Sequence, residues 1–338
     1  MKKGEIKMTK QHSTLVGLGV CCLVGFVLTA AGWAARPSAP AAGQVPPVTL
    51  SPNLTIGVED GDEKLMFGRI IDLDVDGRGN IYVLDYKFRR VSVFDSQGNL
   101  LRQIAVPQGQ GPREATNLGG MAVTPGGTLF INDMQKVIVY GSDGEYGRTF
   151  LVDFMISSIG CPGMEELVAI GPHDGKILHI FDAQGKLIES FGDTFTPPGE
   201  LAPMKEMPMF GAPLLFNCSK DGRIFVLNPH KYEVSVFKDR KLESVINGRN
   251  DDFKPIQKMG RGFFSTAAHI VSSGGLVFVA LVKPDPRVQK TADVFRAGRQ
   301  IGSIDITGTP LVADPQGMIY MAEEEGFPKV VRCAVIKN

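Results

Sequence analysis

Apolar residues in this 338-residue chain come in short runs between tight turns, not in helical stripes. Turn signals at Asp76-Gly77-Arg78-Gly79-Asn80, Pro125-Gly126-Gly127, Pro162-Gly163, Asp221-Gly222, Ser273-Gly274-Gly275 and Pro315-Gln316-Gly317 recur every 37 to 59 residues or so. Gly and Asn accept the positive φ that tight hairpins need, and Pro presets the entry angle. Most are followed by a short apolar run, as at Ile81–Leu84, Leu129–Ile131, Ile224–Leu227, Leu276–Val279 and Ile319–Met321, which predicts a strand. Five of the six then reach a second turn: Ser96-Gln97-Gly98-Asn99, Ser142-Asp143-Gly144, Ala183-Gln184-Gly185, Lys238-Asp239-Arg240 and Arg296-Ala297-Gly298. Beyond the N-terminal leader no comparable segment repeats with a helical period, so almost no helix is predicted.

One unit therefore reads strand a, turn, strand b, loop, strand c, turn, strand d. The last unit holds only three strands, Leu311–Ala313, Ile319–Met321 and Val330–Arg332. Val48–Val58 has no other assignment. As the outer strand of the last unit it joins the two ends of the chain and closes a ring of sheets. The expectation is all-β: a six-bladed β-propeller of four-stranded antiparallel blades over residues 48–338, its last blade closed by an N-terminal strand. The long repeat argues against the alternative, a two-sheet sandwich.

Blade 1 carries a resemblance. Asp74-Val75-Asp76, Gly79-Asn80-Ile81-Tyr82-Val83-Leu84-Asp85, Arg90-Val91-Ser92-Val93-Phe94-Asp95 and Gly98 resemble an NHL repeat. Gly109-Gln110-Gly111-Pro112-Arg113-Glu114 is similar to a stretch between blades of bacterial exported six-bladed propellers of the TolB-like superfamily. Later blades match more loosely, and blade 3 departs most. The resemblance spans about residues 48–338. It implies the fold and leaves function open, because propellers host both binding and catalysis.

The N-terminus sets the expected address. Lys2, Lys3, Lys7 and Lys10 precede an apolar stretch from Leu15 to Ala31, so residues 1–35 read as a signal peptide or membrane anchor. Cys21 and Cys22 add a lipoprotein alternative, with Val20 where a small residue is expected. Each version puts the remainder outside the cytoplasm: periplasmic, extracellular or anchored to the outer face of the membrane. Residues 36–47, rich in Pro and Ala, read as a linker. The chain is formally neutral, and residues 1–35 hold four Lys and one Glu, so the remainder carries −3. That is no footprint for nucleic acid. Cys161, Cys218 and Cys333 allow at most one disulfide, with Cys161–Cys218 the candidate pair and buried thiols the alternative.

Loops from strand b to strand c share one rim with the blade-to-blade connections, and polar residues concentrate there. Candidate ligand-binding residues are Asp85, Arg89, Arg113, Asp133, His173, Asn228 and His230; Lys283, Asp285 and Arg287 belong to the same rim. Asp85, Asp133 and Asn228 occupy equivalent positions and have a structural alternative, capping turns through backbone amides. His173, His179, His230 and His269 lack close metal spacing, so no metal, cofactor or catalytic residue is assigned. Met204, Met207 and Met209 read as gap-fillers or a soft-metal cluster. The functional expectation is a non-enzymatic binding or scaffolding module at the cell envelope, contacting a protein, peptide or glycan through this rim. The alternative is a metal-dependent hydrolase or lyase with its site at the propeller axis.

Overall fold

A computed structural model describes residues 47–163, 165–213, 215–260, 262–282 and 290–338. The leader, most of the linker and Lys283, Asp285 and Arg287 lie outside the described residues.

Six four-stranded antiparallel sheets follow in chain order. Blade 1 comprises Ile70–Val75, Ile81–Asp85, Arg90–Phe94 and Leu100–Ala105. Blade 2 comprises Gly120–Val123, Leu129–Asp133, Lys136–Tyr140 and Tyr146–Leu151. Blade 3 comprises Ser158–Gly160, Leu167–His173, Lys176–Phe181 and Leu187–Asp193. Blade 4 comprises Phe216–Cys218, Ile224–Leu227, Glu233–Lys238 and Lys241–Asn247. Blade 5 comprises Ala267–Ser273, Leu276–Leu281, Lys290–Arg296 and Arg299–Ile306. Blade 6 comprises Thr309–Ala313, Ile319–Glu323 and Lys329–Lys337, and its fourth strand is Val48–Ile56. That strand pairs antiparallel with Lys329–Lys337, from Val48 opposite Lys337 to Ile56 opposite Val330. The expected closure by the N-terminal strand is what the chain does.

The core sits in the seams between blades. Each of six buried apolar clusters draws on two neighbouring blades: Leu84 and Val93 with Ile131 and Ile138 join blades 1 and 2, and Ile81 and Phe94 with Tyr320 and Val330 join blades 6 and 1. Both faces of every blade are thus apolar. This explains the continuous runs in strands b and c, such as the fully buried Ile81–Asp85.

The near-absence of helix holds apart from a 3-10 turn, Gly199–Met204, and one α-turn, Pro208–Gly211, in the connection from blade 3 to blade 4. Pro208 sits in the first helical turn, where its missing N–H costs nothing. The connection from blade 4 to blade 5 carries an additional hairpin, Gln257–Met259 with Gly262–Phe264. The two excursions meet where the Phe210 and Phe263 rings lie edge to face, 4.8 Å apart. No described helix is long and apolar enough to cross a membrane.

Candidate functional site

Most of the rim residues expected to bind a ligand hold loops together. Asp85, with no exposed surface, accepts hydrogen bonds from the backbone N–H groups of Gly68, Arg69, Lys87 and Phe88. Asp133 accepts from Thr116 and Asn117 N–H, and Lys136 lies 3.3 Å away. Asn228 accepts from His230 N–H at 2.9 Å. Asp85 and Asp133 thus tie the incoming connection to strand b, and Asn228 caps its own loop, the capping role open to all three from sequence. The Arg89 guanidinium donates to the carbonyls of Val106, Pro107 and Ala115. His230 donates from Nε2 to Phe210 O at 2.8 Å, and its buried Nδ1 has no partner among the described residues. Arg113 lies over the Tyr146 ring. His173 stacks on Phe154 with Nε2 3.5 Å from both Asp153 and Asp174. These residues lie on four different blades and their connections, and none of the seven bonds another except Asn228 with His230. His179 is buried in blade 3, between Ser190 Oγ and Gly171 O, and burial lowers its pKa.

The axis is built differently. Strand periodicity turns Asp72 and Asp74 to the same side of the innermost strand of blade 1. Their carboxylates accept from Met121 and Val123 N–H of blade 2 at 2.8 and 2.7 Å, also two residues apart. Side chains here do the work of a ladder between strands that belong to separate sheets. Asn217 of blade 4 likewise accepts from Ser272 N–H of blade 5, and His269 of blade 5 donates to Leu311 O of blade 6. Across the ring, Lys220 of blade 4 reaches Asp74 of blade 1 at 2.8 Å, with only 14% and 11% of the two side chains exposed. This ion pair crosses between opposite blades.

The axial cavity holds ≈ 60 Å³ and is lined by Asp72, Asp74, Cys161, Cys218, Lys220 and His269 among others. Burial pushes Asp72 up to about 7, against the lowering effect of Met121 N–H, and pushes His269 down to about 4. Both face the cavity, so some of their surface touches water-sized space although protein surrounds them. Cys161 and Cys218 are free thiols, raised in pKa chiefly by burial. Among the described residues no three His, Cys, Asp or Glu side chains are grouped to hold a metal.

Another cavity opens on the other face of the ring, among the a–b and c–d turns. It is a cleft of ≈ 630 Å³ between blades 4 and 5, with the a–b turn of blade 6 at its inner end. Phe225, Val236 and Ile246 of blade 4 line it together with Val277 of blade 5, and Leu276, which packs toward blade 6, also touches it. Deeper in the seam the same two blades pack tightly through Leu227, Val234, Ile270 and Val279. At the turn end they part. Arg223 donates to Glu243 through Nε (2.8 Å) and Nη2 (3.3 Å), and through Nη1 to Asp221. Against the effect of burial, the Ser219 hydroxyl and then Arg223 hold the Asp221 carboxyl below the usual range, and the Arg223 bonds do so for Glu243. Lys220 lines both this cleft and the axial cavity, so the ion pair with Asp74 stands between them.

The motif reading passed over Lys220, Arg223 and Glu243. A signal was present: Asp72 and Asp74 put two carboxylates on an inner strand, and their counter-charge had to come from elsewhere on the axis.

Comparison with known proteins gives the same architecture. Residues 61–169 match the model of a family described as a 6-bladed beta-propeller. No curated protein matches the chain. A presumed exported protein of Bacteroides fragilis superposes with TM-score 0.59 at 12% identity, covering 88% of this chain and 98% of that one. A DUF4221-family protein of Bacteroides vulgatus gives 0.54 at 12% identity, covering 86% and 99%. Virginiamycin B lyase from Staphylococcus aureus gives 0.50 at 12% identity, covering 79% and 80%. At these identities the likeness is one of fold, and this chain's own sheets make it a six-bladed β-propeller.

Proposed function

We propose that this chain is an exported binding propeller whose ligand enters the cleft between blades 4 and 5. The observation that carries the reading is the cleft itself. Its ≈ 630 Å³ falls in the ordinary range for ligand sites, roughly 300–1,000 Å³. It combines an apolar floor from strand faces with polar groups on rigid turns, the usual division between burial and orientation. Export rests on the basic start and apolar run of residues 1–35, and agrees with the name given to the Bacteroides fragilis neighbour. On this reading the loop rim of the opposite face keeps the ring rigid and contributes Arg113 and His173 as its accessible polar groups.

The test is thermal stabilisation of the full chain by a library of small polar metabolites and oligomers, with Ser244→Trp as the cleft-filling variant. Ser244 is exposed and lines the cleft, so a large side chain there obstructs entry without displacing core. Ligands that raise the midpoint of the wild type and leave Ser244→Trp unmoved support the site. Stabilisation that is equal in both proteins, or absent throughout, defeats it.

A further inference from the structure

The charged groups lining the cleft are already engaged. Lys220 is held on Asp74 at 2.8 Å. Arg223 is shared between Asp221 and both oxygens of Glu243. Asp314, from blade 6, accepts from Met318 N–H at 2.9 Å and Tyr320 Oη–H at 3.0 Å. Arg296 and Arg299 flank the Ala297–Gly298 turn but do not line the cleft, and the Lys337 ammonium rests on Gly274 O outside it. An anionic ligand therefore has to take Lys220 or Arg223 from a carboxylate that already holds it, and a cationic ligand finds Asp221 and Glu243 held by Arg223 and Asp314 already accepting two bonds. Taking Lys220 leaves the buried Asp74 uncompensated, a costly outcome, whereas the half-exposed Arg223 pairs cost less to break.

Neutral polar groups are in the opposite state. The hydroxyls of Ser244 and Ser272 and the amide of Gln316 line the cleft without a hydrogen-bond partner among the described residues. Ser273 Oγ donates to Gly317 O and keeps its lone pairs. The turns Ser273–Gly275 and Pro315–Gly317 add backbone groups, and an added Cβ at Gly274 or Gly275 would meet nothing within 4 Å, so that wall is open. Below them lie Phe225, Val236, Ile246 and Val277, a largely buried floor of three aliphatic side chains and one phenyl ring.

From this distribution we infer that the cleft recognises a neutral, polyhydroxylated ligand with an apolar face, that is, an uncharged saccharide unit. Its hydroxyls meet Ser244, Ser272 and Gln316 and its C–H face covers the floor. This specifies the ligand class for the cleft site proposed above and rests on that reading. Uncharged donors and acceptors match one another without breaking an ion pair, and a site built to bond hydroxyls rejects ligands that lack them.

A glycan array carrying neutral, uronic-acid, sulfated and free-amine oligosaccharides tests it, using the full chain, its Ser244→Trp variant and the double variant Ser272→Ala/Gln316→Ala. Binding to neutral glycans is expected. Acidic and amine counterparts of the same linkage should bind up to about fivefold more weakly, the scale of a half-exposed ion pair. The double variant should lose about five- to thirtyfold, the scale of two neutral hydrogen bonds, with an unchanged melting midpoint. Preference for acidic or amine glycans overturns the inference, as does neutral-glycan binding that survives in Ser244→Trp. A blank array overturns it too; if the metabolite library still yields ligands sensitive to Ser244→Trp, only the ligand class falls and the cleft reading stands.

Discussion

Replacing Lys220 with Met probes the ion pair that spans the ring. The substitution keeps most of the side-chain volume and removes the ammonium that faces Asp74 at 2.8 Å. Breaking a buried pair by deleting one partner costs about 3–5 kcal/mol, because the remaining charge stays desolvated. Two features lower that figure here. Asp74 keeps its bonds from Val75 and Val123 N–H, each 2.7 Å, and the ≈ 60 Å³ axial cavity has room for water beside it. The expected loss is about 2–3 kcal/mol. Asp74→Asn should cost a similar amount, because it leaves a buried ammonium unpaired, and the double variant Asp74→Asn/Lys220→Met should cost less than the two singles added together by about 2 kcal/mol. Urea denaturation followed by circular dichroism reads all four proteins. A Lys220→Met protein within 0.5 kcal/mol or so of wild type, or additive single-site losses, would refute the argument that the pair is a buried, coupled latch.

Three further outcomes are expected. His269 at about 4 lies below its unfolded value of 6.5, so the unfolded chain binds more protons between those values and His269 removes up to about 3 kcal/mol of stability as pH falls through that window. Asp72 at about 7 lies above its unfolded 3.8, so its contribution grows as pH falls from 7 to 4. Wild type should therefore be nearly flat from pH 6.5 to 4, His269→Gln should gain stability on acidification and Asp72→Asn should lose it; three parallel pH profiles would contradict this. In blade 5 the fully buried Asp293 accepts from Tyr232 Oη–H (2.6 Å), Asn250 Nδ2–H (2.9 Å) and Ser303 Oγ–H, so Tyr232→Phe should cost about 1.5–3 kcal/mol by urea titration, and a loss under 0.5 kcal/mol or so would show the bond to be dispensable. Gly163 has φ +72° and a Cβ there would stand 2.4 Å from Lys220 O, so Gly163→Ala should lower stability by at least about 1–3 kcal/mol, and a variant melting with wild type would contradict that close approach.

The fold was legible in sequence because its determinants are local and repeated. Each turn needs Gly, Asn or Asp at fixed places, and strands b and c must be apolar on both faces, so the chain states the blade six times over. Ring closure followed from counting: three strands in the last unit, and Val48–Ile56 left to pair with Lys329–Lys337. The capping of Asp85, Asp133 and Asn228 was legible for the same reason, since it acts within a few residues or across one connection. The additional hairpin, Gln257–Met259 with Gly262–Phe264, was not, because only its packing against Phe210 distinguishes it from an irregular loop. At the axis the sequence showed the carboxylates of Asp72 and Asp74 but not their partner, and the cleft left no mark in it. Asp74 and Lys220 stand 146 positions apart and meet because six blades close on themselves. Where blades 4 and 5 separate depends on how two packed faces diverge toward their turns. Spacing along the chain carries no record of that divergence, which arises only when side chains from four strands of each blade compete for one wedge of space.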